Sequence, residues 1–150
     1  TSYMQPKQLK EALRNLFGDK QASQSMVISV VSFGYKNGIL MDADLVFDVR
    51  FLPNPYYIDE LRNHTGKDQD VRNYIFSFPE TKIFLNKLED MLDFLIPYYI
   101  KEGKSQLVIG IGCTGGRHRS VAIADAIYEM LRAKGHRTDV VHRDIQDKKA

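Results

Sequence analysis

The sequence predicts an α/β fold: a mostly parallel sheet with helices on both faces and an anion site between one strand and the next helix. The short apolar run at residues 107–111 indicates a buried strand. A glycine-rich stretch follows it, and apolar residues then recur with helical spacing from Val121 to Leu131. Helical segments between the predicted strands imply parallel pairs joined by right-handed crossovers.

The first third of the chain supplies one predicted helix and two strands. Apolar side chains lie on one face of a helix over residues 6–17, and the polar residues 19–25 are typical of a linker. Residues 26–33 are rich in β-branched side chains and predict an inner strand, and residues 45–49 predict a second. Two prolines within residues 50–55 exclude a regular element there.

The rest of the chain alternates helix and strand. Residues 70–101 have a helical pattern that is broken once before Pro79, which is suited to open the second helix. We expect Pro97 to kink or end that helix. The helix after the glycine-rich stretch should end near Gly135, and residues 138–142 predict the last strand.

Composition narrows the class of protein. The chain has 150 residues, 43% of them hydrophobic, which suffices for one domain with its own core. The formal net charge of +2 gives no overall basic field of the kind that marks nucleic-acid binders. One cysteine, no signal peptide and no long apolar stretch predict a cytoplasmic protein without a membrane partner.

The glycine-rich stretch predicts a phosphate site. A strand, such a loop and a helix in that order point backbone amides and the positive end of a helix dipole at one spot. Asp48 and Arg50 form a second candidate wall, because residues two apart on an extended segment face the same side. An ordinary ion pair fixing the turn, with Asn54 as its cap, is the alternative. The candidate ligand-binding residues are Asp48, Arg50, Asn54, Cys113, Thr114, Gly115, Gly116, Arg117, His118, Arg119 and Ser120.

Other motifs in the same region are incomplete. Glycines 110, 112 and 115 match a dinucleotide fingerprint, but the next strand ends at His142-Arg143 instead of an acidic residue. Gly103-Lys104-Ser105 lacks the first glycine of a Walker A loop, so no P-loop nucleotide site is predicted here. No two of the four histidines combine with Cys113 at metal-ligand spacing, which predicts no metal.

Cys113 and Arg119 have the spacing of a cysteine-dependent phosphatase loop, which is the alternative function. In such a loop a thiolate attacks phosphorus while the guanidinium clamps two oxygens. Gly112 stands where a histidine normally precedes the cysteine, and candidate general acids are limited to Asp42, Asp44 and Asp48. The other interpretation makes Cys113 a small packed residue in a loop that binds phosphate without cleaving it.

Several segments together resemble the C-terminal domain of the RapZ/YvcJ family. They are residues 42–55, Leu61-Arg62-x-x-Thr65-Gly66, residues 111–121 and His142-Arg143, and the resemblance runs from about Val31 to the end. Members of this family carry an N-terminal P-loop domain that binds ATP or GTP. The resemblance, with the start at Thr1, therefore implies that residues 1–25 are a connecting helix and linker from that domain. Residues 26–150 would then be a single ligand-sensing domain.

The resemblance also implies a function. In the RapZ branch this domain binds small RNA as an adaptor for an endoribonuclease and senses glucosamine-6-phosphate. The implied roles are therefore those of a regulatory homodimer without a cofactor in this domain, whose partners are an amino-sugar phosphate or nucleotide sugar and a small RNA. The implied pocket residues are Asp48, Cys113, Thr114, Gly115, His118 and Arg119, with the cysteine in the cradle and not a nucleophile.

Two departures bear on the ligand and on RNA. Tyr56 stands where the RapZ branch has a histidine, and Asp147 interrupts the basic end of the chain. Fewer phosphate contacts mean weaker RNA binding, so the chain is more similar to the YvcJ branch. The candidate RNA-binding residues are His142, Arg143, Lys148 and Lys149.

Overall fold

A four-stranded, all-parallel sheet forms the centre of the domain. The computed structural model of the chain describes residues 26–146. The strand order is β2-β3-β1-β4, and every neighbouring pair is parallel. The α/β prediction is therefore confirmed, and each predicted strand lies within two residues of the observed bounds. These are β1 (Val27–Gly34), β2 (Leu45–Asp48), β3 (Gln106–Cys113) and β4 (Arg137–His142).

Four helices and two 3₁₀ turns connect the strands. Pro79 opens its helix as predicted, and Asn54 caps the turn that begins at Pro55. The predictions for residues 1–25 and 147–150 lie outside the described residues. The helices are α1 (Asp59–Arg62), α2 (Gln69–Phe76), α3 (Pro79–Lys101) and α4 (Arg119–Ala133), and the 3₁₀ turns are Tyr35–Asn37 and Pro55–Tyr57.

Pro97 was expected to kink or end α3, and the structure excludes the end, because the helix continues to Lys101. Proline has no N–H to donate to the carbonyl four residues earlier, which belongs to Asp93. Pro97 and Asp93 are both exposed, so that carbonyl lies on the solvent side of the helix. The helix therefore loses one hydrogen bond without leaving a buried polar group unpaired.

The core lies between one face of the sheet and two helices. Val30 and Ile109 on this face are fully buried, and α4 contacts β1, β3 and β4. α3 reaches the same face, where the rings of Phe84 and Phe47 meet at 6.5 Å. On the opposite face, Leu40 and Tyr35 lie over glycines of β3. Within residues 26–146, helix cover is thus found on one face.

Because all strands are parallel, their carboxyl ends meet at one edge of the sheet. Gly34, Asp48, Cys113 and His142 are the last residues of the four strands. Open parallel sheets bind ligands at this edge. No helix in the described part of the chain is long and apolar enough to cross a membrane.

Candidate anion-binding site

The loop between β3 and α4 packs directly on the end of β1. Gly116 has φ +82°, and a Cβ there would lie 2.6 Å from the backbone nitrogen of Gly34. A Cβ on Gly34 would lie 2.4 Å from the carbonyl carbon of Gly115. Both contacts are backbone against backbone, so only glycine allows the loop to lie this close to the strand.

The sulfur of Cys113 contacts both the loop and the first turn of α4. Its Sγ accepts the N–H of Gly116 at 3.3 Å and lies 3.1 Å from Oγ of Ser120 in the first turn of α4. Both side chains are buried. The sulfur therefore ties the end of the strand to the loop and to the start of the helix.

Arg119, the first residue of α4, places a buried cation beside the loop. Only 4% of Arg119 is exposed. Its Nη1 donates to the carbonyls of Arg50 at 2.8 Å and Leu52 at 3.1 Å, and its Nη2 makes a longer contact of 3.4 Å to Oγ1 of Thr114. Burial lowers the pKa of Arg119, while electrostatic interactions with Cys113 and Asp48 oppose that shift.

One hydrogen-bond donor of Arg119 is unpaired within the described residues. Its Nε is buried and has no partner among the residues the structure describes. Nε and Nη2 form one edge of the guanidinium, the edge with which arginine holds two oxygens of a phosphate or carboxylate. Nη2 reaches Thr114 of the loop, so this edge is turned toward the loop.

The backbone around the loop offers further donors. Within the described chain, the amides of Gly115, Arg117 and His118 donate to no acceptor. α4 has no side-chain cap and no acidic residue in its first turn, so the positive end of its dipole is not neutralised there. Free amides, a helix N-terminus and an open guanidinium edge together fit a bound oxyanion.

The sequence itself decides the family. Residues 26–146 match the family described as RapZ C-terminal domain. The chain belongs to this family.

Three relatives of the chain are named nucleotide-binding proteins. One from Clostridium botulinum strain Okra is 59% identical over 148 residues, which cover 98% of this chain and 50% of the relative. One from Acetivibrio thermocellus is 57% identical over 145 residues, covering 97% and 50%. One from Clostridium novyi is 58% identical over 148 residues, covering 98% and 50%. The chain thus spans about half the length of the relatives it matches.

Asp48 and Arg50 lie beside the loop and form an ion pair. Asp48 is in register with Gly112 of β3. Nη2 of Arg50 donates to its carboxylate at 2.6 Å. This hydrogen bond from Arg50 is the main cause that lowers the pKa of Asp48, and the charge of Arg119 lowers it further.

Other predicted ligand-binding side chains turn away from the loop. Nε2 of His118 lies 3.1 Å from the carbonyl of Arg62, and burial followed by the charge of Arg117 lowers the pKa of His118. Within residues 26–146, the Arg117 guanidinium makes long contacts, to carbonyl oxygens at 3.4 and 3.5 Å. Asn54 accepts the N–H of Tyr56 at 3.1 Å and shapes the turn. The backbone amides of Arg117 and His118 are what these two residues offer an anion.

The candidate RNA-binding residues divide into two pairs. His142 is largely buried, and Arg143 donates to the carbonyl of Gly38 at 2.6 Å and to the carboxylate of Asp144 at 2.9 Å. Lys148 and Lys149 lie outside the described residues. No group of three metal-ligating side chains occurs within residues 26–146.

Sequence reasoning missed a chain of buried polar side chains under the same edge. Nδ1 of His142 lies 2.7 Å from Oγ of Ser32, and its Nε2 lies 2.8 Å from Oδ1 of Asp125. Lys67 approaches the other oxygen of Asp125 at 3.8 Å. Burial raises the pKa of Asp125, but the hydrogen bond from His142 and the nearby charges of Lys67 and Arg72 contribute to lowering it overall. The sequence signal for this chain was Asp125, the one acidic residue among the small and apolar residues 121–127.

Proposed function

We propose that this domain is the regulatory, ligand-sensing part of a nucleotide-binding protein and binds a phosphorylated amino sugar or a nucleotide sugar. The observation that carries the proposal is the open, buried Nε of Arg119. Leaving a buried charged donor unpaired is costly. An oxyanion in the loop would remove that cost.

The phosphate would lie against one arginine and the loop amides. Nη1 of Arg119 is held by two carbonyls, so its Nε–Nη2 edge is fixed in place before the ligand arrives. The amides of Gly115, Arg117 and His118 would take the remaining oxygens. Asp48, at the neighbouring strand end, would accept a hydrogen bond from a sugar hydroxyl or an amine of the ligand.

The charge state of the nearby carboxylates favours binding over hydrolysis. A cysteine-dependent phosphatase needs a protonated general acid for the leaving group. The Arg50 guanidinium lowers the pKa of Asp48 and keeps it ionised. Asp42 and Asp44 precede β2, at the opposite end of that strand from the loop. Asp44 is bonded there to Lys104 at 2.8 Å.

Calorimetry on the wild type and on Arg119 variants tests the proposal. The probes are glucosamine-6-phosphate, glucose-6-phosphate, UDP-N-acetylglucosamine and inorganic phosphate. Arg119→Ala should weaken binding of the preferred probe at least about 100-fold, because it removes two charge-assisted hydrogen bonds worth about 1.5–3 kcal/mol each. Arg119→Lys keeps the charge but loses the fork, so it should also bind poorly.

Lys134→Ala is the matched control. It removes one positive charge from an exposed ion pair with Glu89 and Asp93. Lys134 follows α4, at the opposite end of that helix from the loop. Its affinity should equal that of the wild type. Unchanged affinity in a folded Arg119→Lys variant, or no binding of any probe to the wild type, would disprove the proposal.

A further inference from the structure

The guanidinium of Arg50 forms a planar, half-exposed surface next to the anion-binding loop. Its Cζ lies over the Tyr35 ring, 4.1 Å from the ring centre. The backbone N–H, Nε and Nη2 of Arg50 donate to the carboxylate of Asp48 at 2.9, 3.0 and 2.6 Å. The ring thus covers one face of the guanidinium, and the carboxylate binds one edge. The Arg50 side chain is still 48% exposed, so the opposite face is open to solvent.

The Tyr35 ring that supports Arg50 is itself held in place. It packs edge-on against Phe33, with the ring centres 4.9 Å apart, and Phe33 is fully buried. A Cβ on Gly112 would lie 2.6 Å from Cε2 of Tyr35, so the ring lies directly on the backbone of β3. Arg50 therefore makes its cation–π contact with a ring that two neighbours fix in position.

This pair of Tyr35 and Arg50 is connected to the residues that would hold the phosphate. The carbonyl of Arg50 accepts Nη1 of Arg119 at 2.8 Å. On the other side, the N–H of Lys36 donates to the carbonyl of Thr114 at 3.2 Å, and Oγ1 of Thr114 contacts Nη2 of Arg119 at 3.4 Å. The open face of Arg50 and the open edge of Arg119 are therefore held next to each other.

We propose that the Tyr35–Arg50 pair is a subsite for a nucleobase, so that the phosphate in the loop belongs to a nucleoside 5′-phosphate such as a nucleotide sugar. This inference rests on the proposed function and selects one of the two ligand classes named there. A guanidinium plane stacks on planar π systems, and RNA-binding proteins use it to stack bases. A saturated sugar ring has no π face. A phosphorylated sugar without a base would therefore leave the outer face of Arg50 in contact with water alone.

Asp48 contributes to both parts of such a ligand. Its carboxylate has about four acceptor positions, and Arg50 supplies three donors. One position is left for a sugar hydroxyl of the ligand. The same three hydrogen bonds fix the plane of the guanidinium before the ligand arrives, so that less side-chain freedom is lost when a base stacks on it.

Two probes that differ only in the base test the inference by calorimetry on the whole chain. Uridine 5′-phosphate carries a base, and ribose 5-phosphate lacks it. The wild type should bind uridine 5′-phosphate at least about fivefold more tightly, the lower end of what base stacking contributes. Arg50→Ala should remove this preference and weaken the binding of ribose 5-phosphate much less. Arg50→Lys keeps the charge without the planar face, so it should also lose the preference.

Arg132→Ala is the matched control. Arg132 is also an exposed arginine over a tyrosine, 5.6 Å from the ring centre of Tyr128, but it lies in the last turn of α4, far from the loop. This variant should keep the preference of the wild type. Nuclear magnetic resonance gives a direct readout, because the base protons of uridine 5′-phosphate should show Overhauser effects to the Arg50 side chain in the wild type.

Three results would overturn the inference. Equal affinities of the wild type for the two probes would mean that the base is not recognised. A preference that survives in Arg50→Ala would place the base elsewhere. The third result is tighter binding of a uridine hexanucleotide without terminal phosphates, which would make RNA the ligand. Only 4% of Arg119 is exposed, so we expect the loop to admit a small ligand and not the backbone of a longer strand.

These failures are distinguishable from failure of the proposed function. If ribose 5-phosphate or inorganic phosphate still binds to the wild type and is lost in Arg119→Ala, only the base subsite is refuted. If no probe binds to the wild type, the proposed function is refuted as well.

Discussion

Two buried polar side chains, His142 and Arg119, lie at the carboxyl edge of the sheet and differ in how many of their nitrogens have hydrogen-bond partners. His142 has both ring nitrogens engaged, one with Ser32 and the other with Asp125. Arg119 is equally buried, but its fixed contacts are to neutral oxygens and its Nε has none within residues 26–146.

This difference predicts that the two side chains affect different properties of the protein, its stability in one case and its ligand affinity in the other. A buried polar chain that closes on itself stabilises the fold and has no donor left for a ligand. A buried cation with an open edge keeps a donor that is ready for an anion. Substitutions in the closed chain should therefore change stability, while substitutions at Arg119 should change affinity.

The largest expected loss of stability comes from His142→Ala. It removes the hydrogen-bond partner of the buried Asp125 carboxylate and leaves only the more distant Lys67 at 3.8 Å, which costs about 3 kcal/mol. His64 is the matched control, because it contacts Asp70 at the same 2.7–2.8 Å but is half exposed. His64→Ala should cost less than about 1 kcal/mol. Urea denaturation measures both, and equal losses would contradict the comparison.

Gly116→Ala should displace the backbone of the loop between β3 and α4. The methyl group meets the Gly34 nitrogen at 2.6 Å, and the residue has a positive φ. Strain and collision together should cost about 2–3 kcal/mol, and phosphate affinity should be lost as the loop moves.

Gly38 is the control for that variant. It also has a positive φ, but nothing lies within 4 Å of a Cβ placed there. Gly38→Ala should cost only the strain, about 1 kcal/mol, and should keep phosphate binding. Denaturation and calorimetry on both variants measure the difference, and a Gly116→Ala variant that binds phosphate normally would break the account of the loop.

A smaller loss of stability is expected at Ser32, the neutral end of the hydrogen-bonded chain Ser32–His142–Asp125. Ser32→Ala removes a single hydrogen bond to Nδ1 of His142 and should cost about 1 kcal/mol. The ordering of His142→Ala above Ser32→Ala tests whether the charged contact to Asp125 dominates the chain. Similar losses in the two variants, measured by urea denaturation, would show that it does not.

The open site was predictable because its parts are contiguous in sequence. Cys113 and Arg119 lie within one strand–loop–helix unit, so spacing alone predicts that both lie at the same loop. The pairing of Asp48 with Arg50 follows from their spacing too, and the ion-pair alternative is what the structure shows.

The closed chain and the arginine anchors could not be predicted from spacing. Ser32 and His142 are 110 residues apart, and Arg119 is 69 residues from the carbonyl of Arg50. Only the strand order brings them together. The side chain of His118 was assigned to the anion by its place in the loop, yet it faces the carbonyl of Arg62. Local sequence does not fix which way a loop side chain turns.

The smallest expected effect is the acid dependence that His118 gives to folding. Burial lowers its pKa in the folded protein below the ordinary value of 6.5. Below that value the unfolded chain takes up a proton that the folded chain resists, so the free energy of unfolding falls as the pH falls, until the folded pKa is reached.

His118→Gln keeps a side-chain N–H for the Arg62 carbonyl and removes the titration. Urea denaturation at about pH 7.5 and about pH 5 should therefore show a shallower loss in the variant. Part of the loss should remain, because burial also lowers the pKa of His136. Identical losses in wild type and His118→Gln would mean that burial and the charge of Arg117 do not hold the His118 ring neutral in the folded protein.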